Sequence, residues 1–294
     1  MKLGVLVETE EGLDWAHWRT TCAAAERLGF DSIWISDHLQ SAWTASRHGL
    51  DPWIALAAAA AETKRVVLGP LVSPITFREP ALVARMAESL DELSGGRFVI
   101  GLGLGWNAEE HAAAGIDFPS VAERSRRLSD GIARIRRELG KRHVRVLIGG
   151  KGTRSTLPTV ARYADEWNMT TASHVEFRSV SEQLNSLCRA AGREPAEIQR
   201  SVATGILIGR DQKELLECGE RMRRRVQPLA QAEDVLEAAR SMGWVVGTPG
   251  EVLAVLKALA QAGVDRVILG HYDLDCTTTL ETIAQSVLPE LEWE

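Results

Sequence analysis

Asp37 and His38 stand together directly after a short apolar run, Ser32–Ile35. A histidine beside a carboxylate can be held in one tautomer and can give or take a proton near neutral pH. The plainer alternative is a loop-capping aspartate with an incidental histidine, but the position at a strand's C-terminal end favours chemistry. A second group is Gly149-Gly150-Lys151-Gly152-Thr153, between a strand and a helix. Free backbone N–H groups at that helix start, with Lys151 and Arg154 nearby, make an anion site. A tight turn alone would explain one glycine, and here there are three. The G-x-x-x-x-G-K-[ST] pattern of a P-loop is absent. A third stretch, Arg97-Phe-Val-Ile-Gly-Leu-Gly-Leu-Gly-Trp-Asn107, turns from apolar residues to alternate glycines. Gly101, Gly103 and Gly105 give G-x-G-x-G, which is not the dinucleotide fingerprint. It reads either as a strand crowded by packing or as the mouth of a cofactor-binding barrel.

Other polar candidates are Glu8, after the first strand, and Glu109, Glu110 and His111. The two glutamates also suit the first turn of a helix, where the dipole favours negative charge. His271 and Tyr272 follow the last strand and can reach the mouth. Trp43, Trp53, Trp106 and Trp167 lie near strand ends. Such rings can stack on a planar cofactor, though at least two of the four are expected to be packed under loops. No H-E-x-x-H or C-x-x-C spacing occurs, so no metal is indicated.

Eight strand–helix units must position these groups. The strands are read at 3–7, 32–35, 66–74, in the glycine-rich stretch, at 144–148, 165–169, within 198–208, and at 267–269. Gly29 and Gly95 stop helices in the left-handed manner. Asp51-Pro52 and Thr248-Pro249-Gly250-Glu251 open others. Residues 227–242 read as a short extra helical segment before the last unit. Eight alternating units predict a (β/α)8 TIM barrel of the α/β class, as a single domain over 1–294, with its site at the C-terminal mouth. An open doubly wound sheet is the alternative.

The net charge of −6 lacks the basic footprint of a nucleic-acid binder. The alanine-rich run 55–61 is too short to cross a bilayer. Four scattered cysteines suit a reducing compartment, and a cytoplasmic location is expected.

Several segments together resemble the luciferase-like monooxygenase superfamily, in its branch of coenzyme F420-dependent oxidoreductases. They are Gly29-Phe-Asp-Ser-Ile-Trp-Ile-Ser-Asp-His-Leu39, Leu68-Gly-Pro-Leu-Val-Ser-Pro-Ile-Thr-Phe-Arg-Glu-Pro80, the stretch 94–107, Glu110-His-Ala-Ala-Ala-Gly-Ile-Asp-Phe-Pro119, Leu147-Ile-Gly-Gly150, Val160-Ala-Arg-Tyr-Ala-Asp165 and Val246-Gly-Thr-Pro-Gly-Glu-Val252. They run in order along almost the whole chain. The resemblance implies a bacterial luciferase-like barrel, usually a homodimer, with a deazaflavin (coenzyme F420) or FMN across the mouth and a small-molecule substrate. It implies that Asp37 and His38 face the reactive ring as catalytic residues, and that a non-proline cis peptide lies at Leu71–Val72, next to Ser73. It places Gly103, Leu104, Gly105 and Trp106 against the cofactor, and Gly149, Gly150, Lys151 and Arg154 at its phosphate. Glu8, Trp43, His111 and His271 are the expected substrate-pocket residues.

Two departures bear on function. The link between the helix 121–139 and the fifth strand is very short, where many relatives carry a covering segment. Sugar-phosphate dehydrogenases of the superfamily have Glu where Trp106 falls, which argues against that activity. Hydride transfer with F420 is the leading expectation. The alternatives are an FMN monooxygenase served by a partner reductase and a non-catalytic flavin-binding barrel. A cofactor-free hydrolase would need paired carboxylates, and none is placed for it.

Overall fold

Short runs with nearly every residue apolar become buried parallel strands, and each is answered by a helix with one apolar face. The computed structural model describes residues 1–41 and 49–291. In order they form β1 (Lys2–Val7), α1 (Trp15–Leu28), β2 (Ser32–Ile35), α2 (Pro52–Glu62), β3 (Val67–Pro70), β4 (Ser73–Pro74), α3 (Pro80–Ser94), β5 (Val99–Gly103), α4 (Ala108–Ala114), α5 (Val121–Leu139), β6 (Arg145–Gly149), α6 (Leu157–Tyr163), β7 (Glu166–Thr170), α7 (His174–Ala190), β8 (Gln199–Ile208), α8 (Gln212–Arg223), α9 (Gln227–Ala230), α10 (Val235–Ser241), β9 (Val245–Gly247), α11 (Pro249–Gln261), β10 (Arg266–Gly270) and α12 (Thr278–Ser286). The predicted helix signals are present. Asp51 accepts from the backbone of Trp53 and Ile54, Gly29 and Gly95 are left-handed stops, and Thr248 and Glu251 form a capping box.

The strands pair in parallel in the order β3-β2-β1-β10-β8-β7-β6-β5-β4. β3 and β4 are two halves of the third barrel strand. They are separated at Leu71–Val72, whose peptide bond is cis, as the resemblance implies. β4 pairs with β5, and Leu68 bridges to Phe98, so the sheet curls round into a nearly closed barrel. The sequence reading ran the third strand unbroken and assigned no strand at 245–247. β9 forms there because β8 is ten residues long, and its far half leaves the barrel to pair with 245–247.

Leu6, Trp34, Val99, Leu147, Ala203 and Ile268 fill the barrel interior. A second small core, including Leu207, Leu215, Met222, Leu229 and Leu236, ties α8–α10 to the outer half of β8. Among the described residues no helix is long and apolar enough to cross a membrane.

Arg266 plugs the barrel with no solvent exposure. Its guanidinium meets Glu166 at 2.5 Å and Asp31 at 2.8 Å. Removing one partner of such a group leaves the other charges buried and uncompensated. Arg266→Ala is therefore expected to destabilise the fold by about 3–5 kcal/mol, read as a lower urea midpoint. A loss under about 1 kcal/mol would show that the pair does not hold the barrel together.

Candidate active site

A cleft of about 610 Å³ opens over the C-terminal ends of the strands. Leu6 and Glu8 reach it from β1, His38 from β2, Val72 from the break before β4, Gly103 from β5, Gly149 from β6, Asn168 from β7, Ala203 from β8 and Gly270 from β10. Barrel geometry thus brings eight distant segments to one mouth.

The floor is backbone rather than side chain. A Cβ on Gly103 would lie 2.6 Å from Val72, and one on Gly149 would lie 3.0 Å from it. A Cβ on Gly101 would lie 1.8 Å from the Pro70 carbonyl oxygen. Two of the three glycines in the G-x-G-x-G run therefore exist to admit the neighbouring strand. Gly105, at φ +75, turns the chain toward α4. Leu71, Leu104, Gly105 and Trp106 line the cleft as well, and Trp106 is 64% exposed at its rim.

His38 is the imidazole in the cleft. Its Nδ1 lies 3.1 and 3.0 Å from the two carboxylate oxygens of Glu110, and its ring meets Trp106 edge-on at 5.5 Å. Burial alone would lower the His38 pKa. The Glu110 hydrogen bond, with the charges of Glu10, Glu110 and Glu8, outweighs burial and holds it up at about 9. Glu110, a polar candidate to which the sequence assigns no role in the site, is here the partner of His38. Asn107 and Glu110 have the spacing of a helix start, and Asn107 does cap α4, accepting from the backbone of Glu109 and Glu110. The Glu110 side chain, however, leaves its own helix for His38.

Asp37 is buried beneath the cleft rather than in it. Its Oδ2 accepts from Ser73 Oγ, from Arg78 Nη1 and, at 3.3 Å, from Trp53 Nε1. Ser73, expected at the cofactor, is in the same network and absent from the lining. These bonds join β2, β4 and α2. The aspartate thus fixes the loop that carries His38.

A 3-10 turn after β1 adds Glu8, Glu10 and Glu11 to the cleft wall. Burial pushes the Glu8 carboxyl up to about 8; the Glu10 charge adds to this, while His38 and Ser36 oppose it. Burial also raises Glu11. Ser36 donates to Glu10 at 2.5 Å. Tyr272, which follows the neighbouring strand β10, lines the cleft beside these glutamates, stacked on Trp244 with ring centroids 5.0 Å apart. Burial and the three glutamates raise its hydroxyl well above the ordinary range.

The turn after β6 contributes Gly149, Gly150, Gly152, Ser155 and Thr156 to the lining. Lys151 and Arg154 are exposed and outside it. Lys151 turns to Glu176 at 2.5 Å instead. An anion here would meet hydroxyl and amide donors first. Trp53 and Trp167 are both buried, and Trp167 donates to the Gly150 carbonyl at 2.8 Å. Trp43 lies outside the described residues.

His111 and His271, expected in the substrate pocket, are elsewhere. His111 is fully buried, between Phe77 and Phe118. Its Nδ1 pairs with the Asn107 carbonyl at 2.6 Å and its Nε2 with Thr76 Oγ1 at 2.7 Å. It points away because α4 turns Glu110, one residue earlier, toward His38. His271 is buried and does not line the cleft, whereas Tyr272 beside it does. Neither ring nitrogen of His271 has a hydrogen-bond partner among the described residues. Burial lowers its pKa to about 4, the Asp273 charge opposing and Arg225 assisting.

The unfolded chain binds the His271 proton near its ordinary value, and the folded chain binds it only near 4. Stability carried by neutral His271 is complete above pH 6.5 and falls as the pH drops through that interval. The loss in unfolding free energy between pH 7 and pH 4 should be roughly 3 kcal/mol larger in the wild type than in His271→Phe. Urea titrations at the two pH values measure this, and equal losses would sink the assignment of a buried neutral histidine.

The family model described as luciferase-like monooxygenase matches residues 1–266. The F420-dependent hydroxymycolic acid dehydrogenase of Mycobacterium tuberculosis is 27% identical over 301 residues, covering 91% of this chain and 82% of that one. The F420-dependent glucose-6-phosphate dehydrogenase of Amycolatopsis mediterranei is 28% identical over 316 residues, covering 91% and 92%. The coenzyme F420-dependent tetrahydromethanopterin reductase of Methanopyrus kandleri superposes with a TM-score of 0.77 at 19% identity, covering 99% of each chain, and so shares the fold. With an all-parallel barrel, a glycine-floored mouth and a family match over most of its length, the chain belongs to the luciferase-like monooxygenase family.

Proposed function

We propose that this barrel works as a single domain, an oxidoreductase that moves a hydride between coenzyme F420 and a small organic substrate at the cleft. The observation that carries the reading is the flat, glycine-built floor facing His38, which leaves room for a planar ring beside an imidazole. The full-length likeness to F420-dependent dehydrogenases supports the deazaflavin over FMN.

The residues present fit such a group. Packing against Val72 and Ser155 keeps Gly103, Gly149 and Gly152 without side chains, so the cradle stays bare backbone; a Cβ on Gly152 would come within 2.2 Å of Ser155 Oγ. In this reading Val72 and Gly103 to Trp106 support the ring. Gly149, Gly150, Gly152, Ser155 and Thr156 receive the phosphate, with exposed Lys151 and Arg154 as outlying positive charge. The bound deazaflavin supplies hydride chemistry. The chain's own part is placement, a dry floor and a proton held at His38. Trp106 at the rim argues against a sugar phosphate as substrate. The same reading takes the protein to act in the cytoplasm as a homodimer. Exposed Ile54, Leu82 and Leu93, on α2 and α3, are apolar surface that a second copy would cover.

Titration of the purified protein with F420 and, separately, with FMN, followed by cofactor fluorescence, tests this. Saturable binding of F420 is expected. His38→Ala should keep that binding while turnover falls about 10²–10⁴-fold. Binding of FMN alone would replace this reading with a monooxygenase that needs a reductase. Binding of neither would remove the flavin reading altogether.

A further inference from the structure

We propose that Glu110 is a positioning residue for His38: by accepting the hydrogen bond from Nδ1–H it turns Nε2 toward the substrate and makes His38 a proton donor there. The role of the donor rests on the proposed oxidoreductase reading, but the arrangement of the pair stands on geometry alone.

An ionised carboxylate offers acceptors and no donor, so the nitrogen beside it must carry hydrogen. Both Glu110 oxygens lie within 3.1 Å of Nδ1. Oε2 also accepts the backbone N–H of Leu39 at 3.1 Å, which fixes the chain just after His38. The two nitrogens of an imidazole point to opposite sides of the ring. With Nδ1 held, Nε2 is left for the cleft that His38 lines. Glu110 itself is 1% exposed and has no room to swing out to water.

The helix that carries Glu110 is braced for this purpose. Asn107 Oδ1 accepts from the Glu110 backbone at 3.2 Å, and the Asn107 carbonyl is held by His111 at 2.6 Å. The other nitrogen of His111 is tied to Thr76, just beyond β4, and its ring is clamped between Phe77 and Phe118. The hydrogen bonds of His111 therefore anchor α4 to the strand-three loop, while Glu110 anchors it to the strand-two loop.

Among the described residues the acidic groups that act on His38 are Glu110 from α4 and Glu8, Glu10 and Glu11 from the turn after β1, and each, when ionised, favours the imidazolium. At neutral pH His38 then holds hydrogen on both nitrogens. The Nε2–H can be given to a substrate oxygen in the reductive direction and recovered in the oxidative one. A histidine without this partner would be pulled the other way by burial and would meet the substrate as a neutral base.

Labelled-histidine NMR of the intact protein tests the pair directly, with His38→Gln identifying the resonance. The wild type should titrate near 9, the value its surroundings impose. Above that midpoint the nitrogen shifts should report hydrogen on Nδ1 and a bare Nε2. In Glu110→Gln the midpoint should fall by more than ~1 pH unit, because the charge is lost while the shape is kept. Glu10→Gln should move it less, since Glu10 acts on His38 through charge alone. A wild-type midpoint below 7, or an Nε2–H tautomer at high pH, overturns the proposal even if no variant folds. So does an unchanged midpoint in a folded Glu110→Gln protein. None of these readings uses a cofactor, so failure of F420 to bind would remove the oxidoreductase reading and leave this result to stand or fall separately.

Discussion

The mouth of this barrel is shaped by one close approach, that of Val72 to the backbone of the next two strands. The break between β3 and β4 carries the Pro70 carbonyl and the Val72 side chain onto β5 and β6. At Gly101 and Gly103 a methyl group has no space, and at Gly149 it would be tightly crowded. Gly101, Gly103 and Gly149 therefore answer a single constraint although they lie on different strands. Its by-product is a floor without side chains on the strand-three side of the cleft. The titratable groups that line the cleft stand at its edges, on the loops after β1, β2 and β10.

Charge at those edges is divided between two networks of different character. Asp37, Arg78, Ser73 and Trp53 form a set joined at Asp37 Oδ2 and outside the cleft lining, with Asp37 Oδ1 left without a hydrogen-bond partner among the described residues. It positions, as a buried ion pair with good hydrogen bonds does, with little net stabilisation to be credited to it. The other set faces inward, where Glu8, Glu10 and Glu11 surround the approach to His38. Burial raises Glu8 to about 8, while the Glu110 hydrogen bond and the neighbouring carboxylates overcome burial and raise His38 to about 9, so both groups carry protons near neutral pH. Such perturbation concentrated in a cleft is what chemistry needs, whereas the perturbed His271 lies outside the cleft and bears on stability alone.

The architecture was legible from the sequence because its signals are local. Apolar runs, left-handed glycine stops and the 248–251 capping box each specify an element without reference to its neighbours. Residues 245–247 failed that test. They are a strand only because β8 overshoots the barrel and offers an edge. Within the site, position along the chain located the mouth but not the facing of side chains. His271 and Tyr272 are adjacent, and one is buried behind the strand while the other lines the cleft. Asp37 and His38 divide in the same way. Glu110 was hidden by its own plausibility as a residue of a helix's first turn, and only the packing of α4 shows that its carboxylate is used elsewhere.

The covering of the cleft follows from two unequal connections. Between α5 and β6 there are only five residues, 140–144, too few to fold over the mouth. Between β8 and β10 the chain instead builds α8–α10 and β9 around their own apolar core, and Met242, Gly243 and Trp244 from that segment reach the cleft. Trp244 can lie there because Gly205 beneath it has no side chain; a Cβ would come within 2.2 Å of the indole. Among the described residues, then, walls rise on the β8–β10 side and the rim stays low on the β5–β6 side, where Trp106 stands exposed. Trp106 on that low rim touches the His38 ring edge-on.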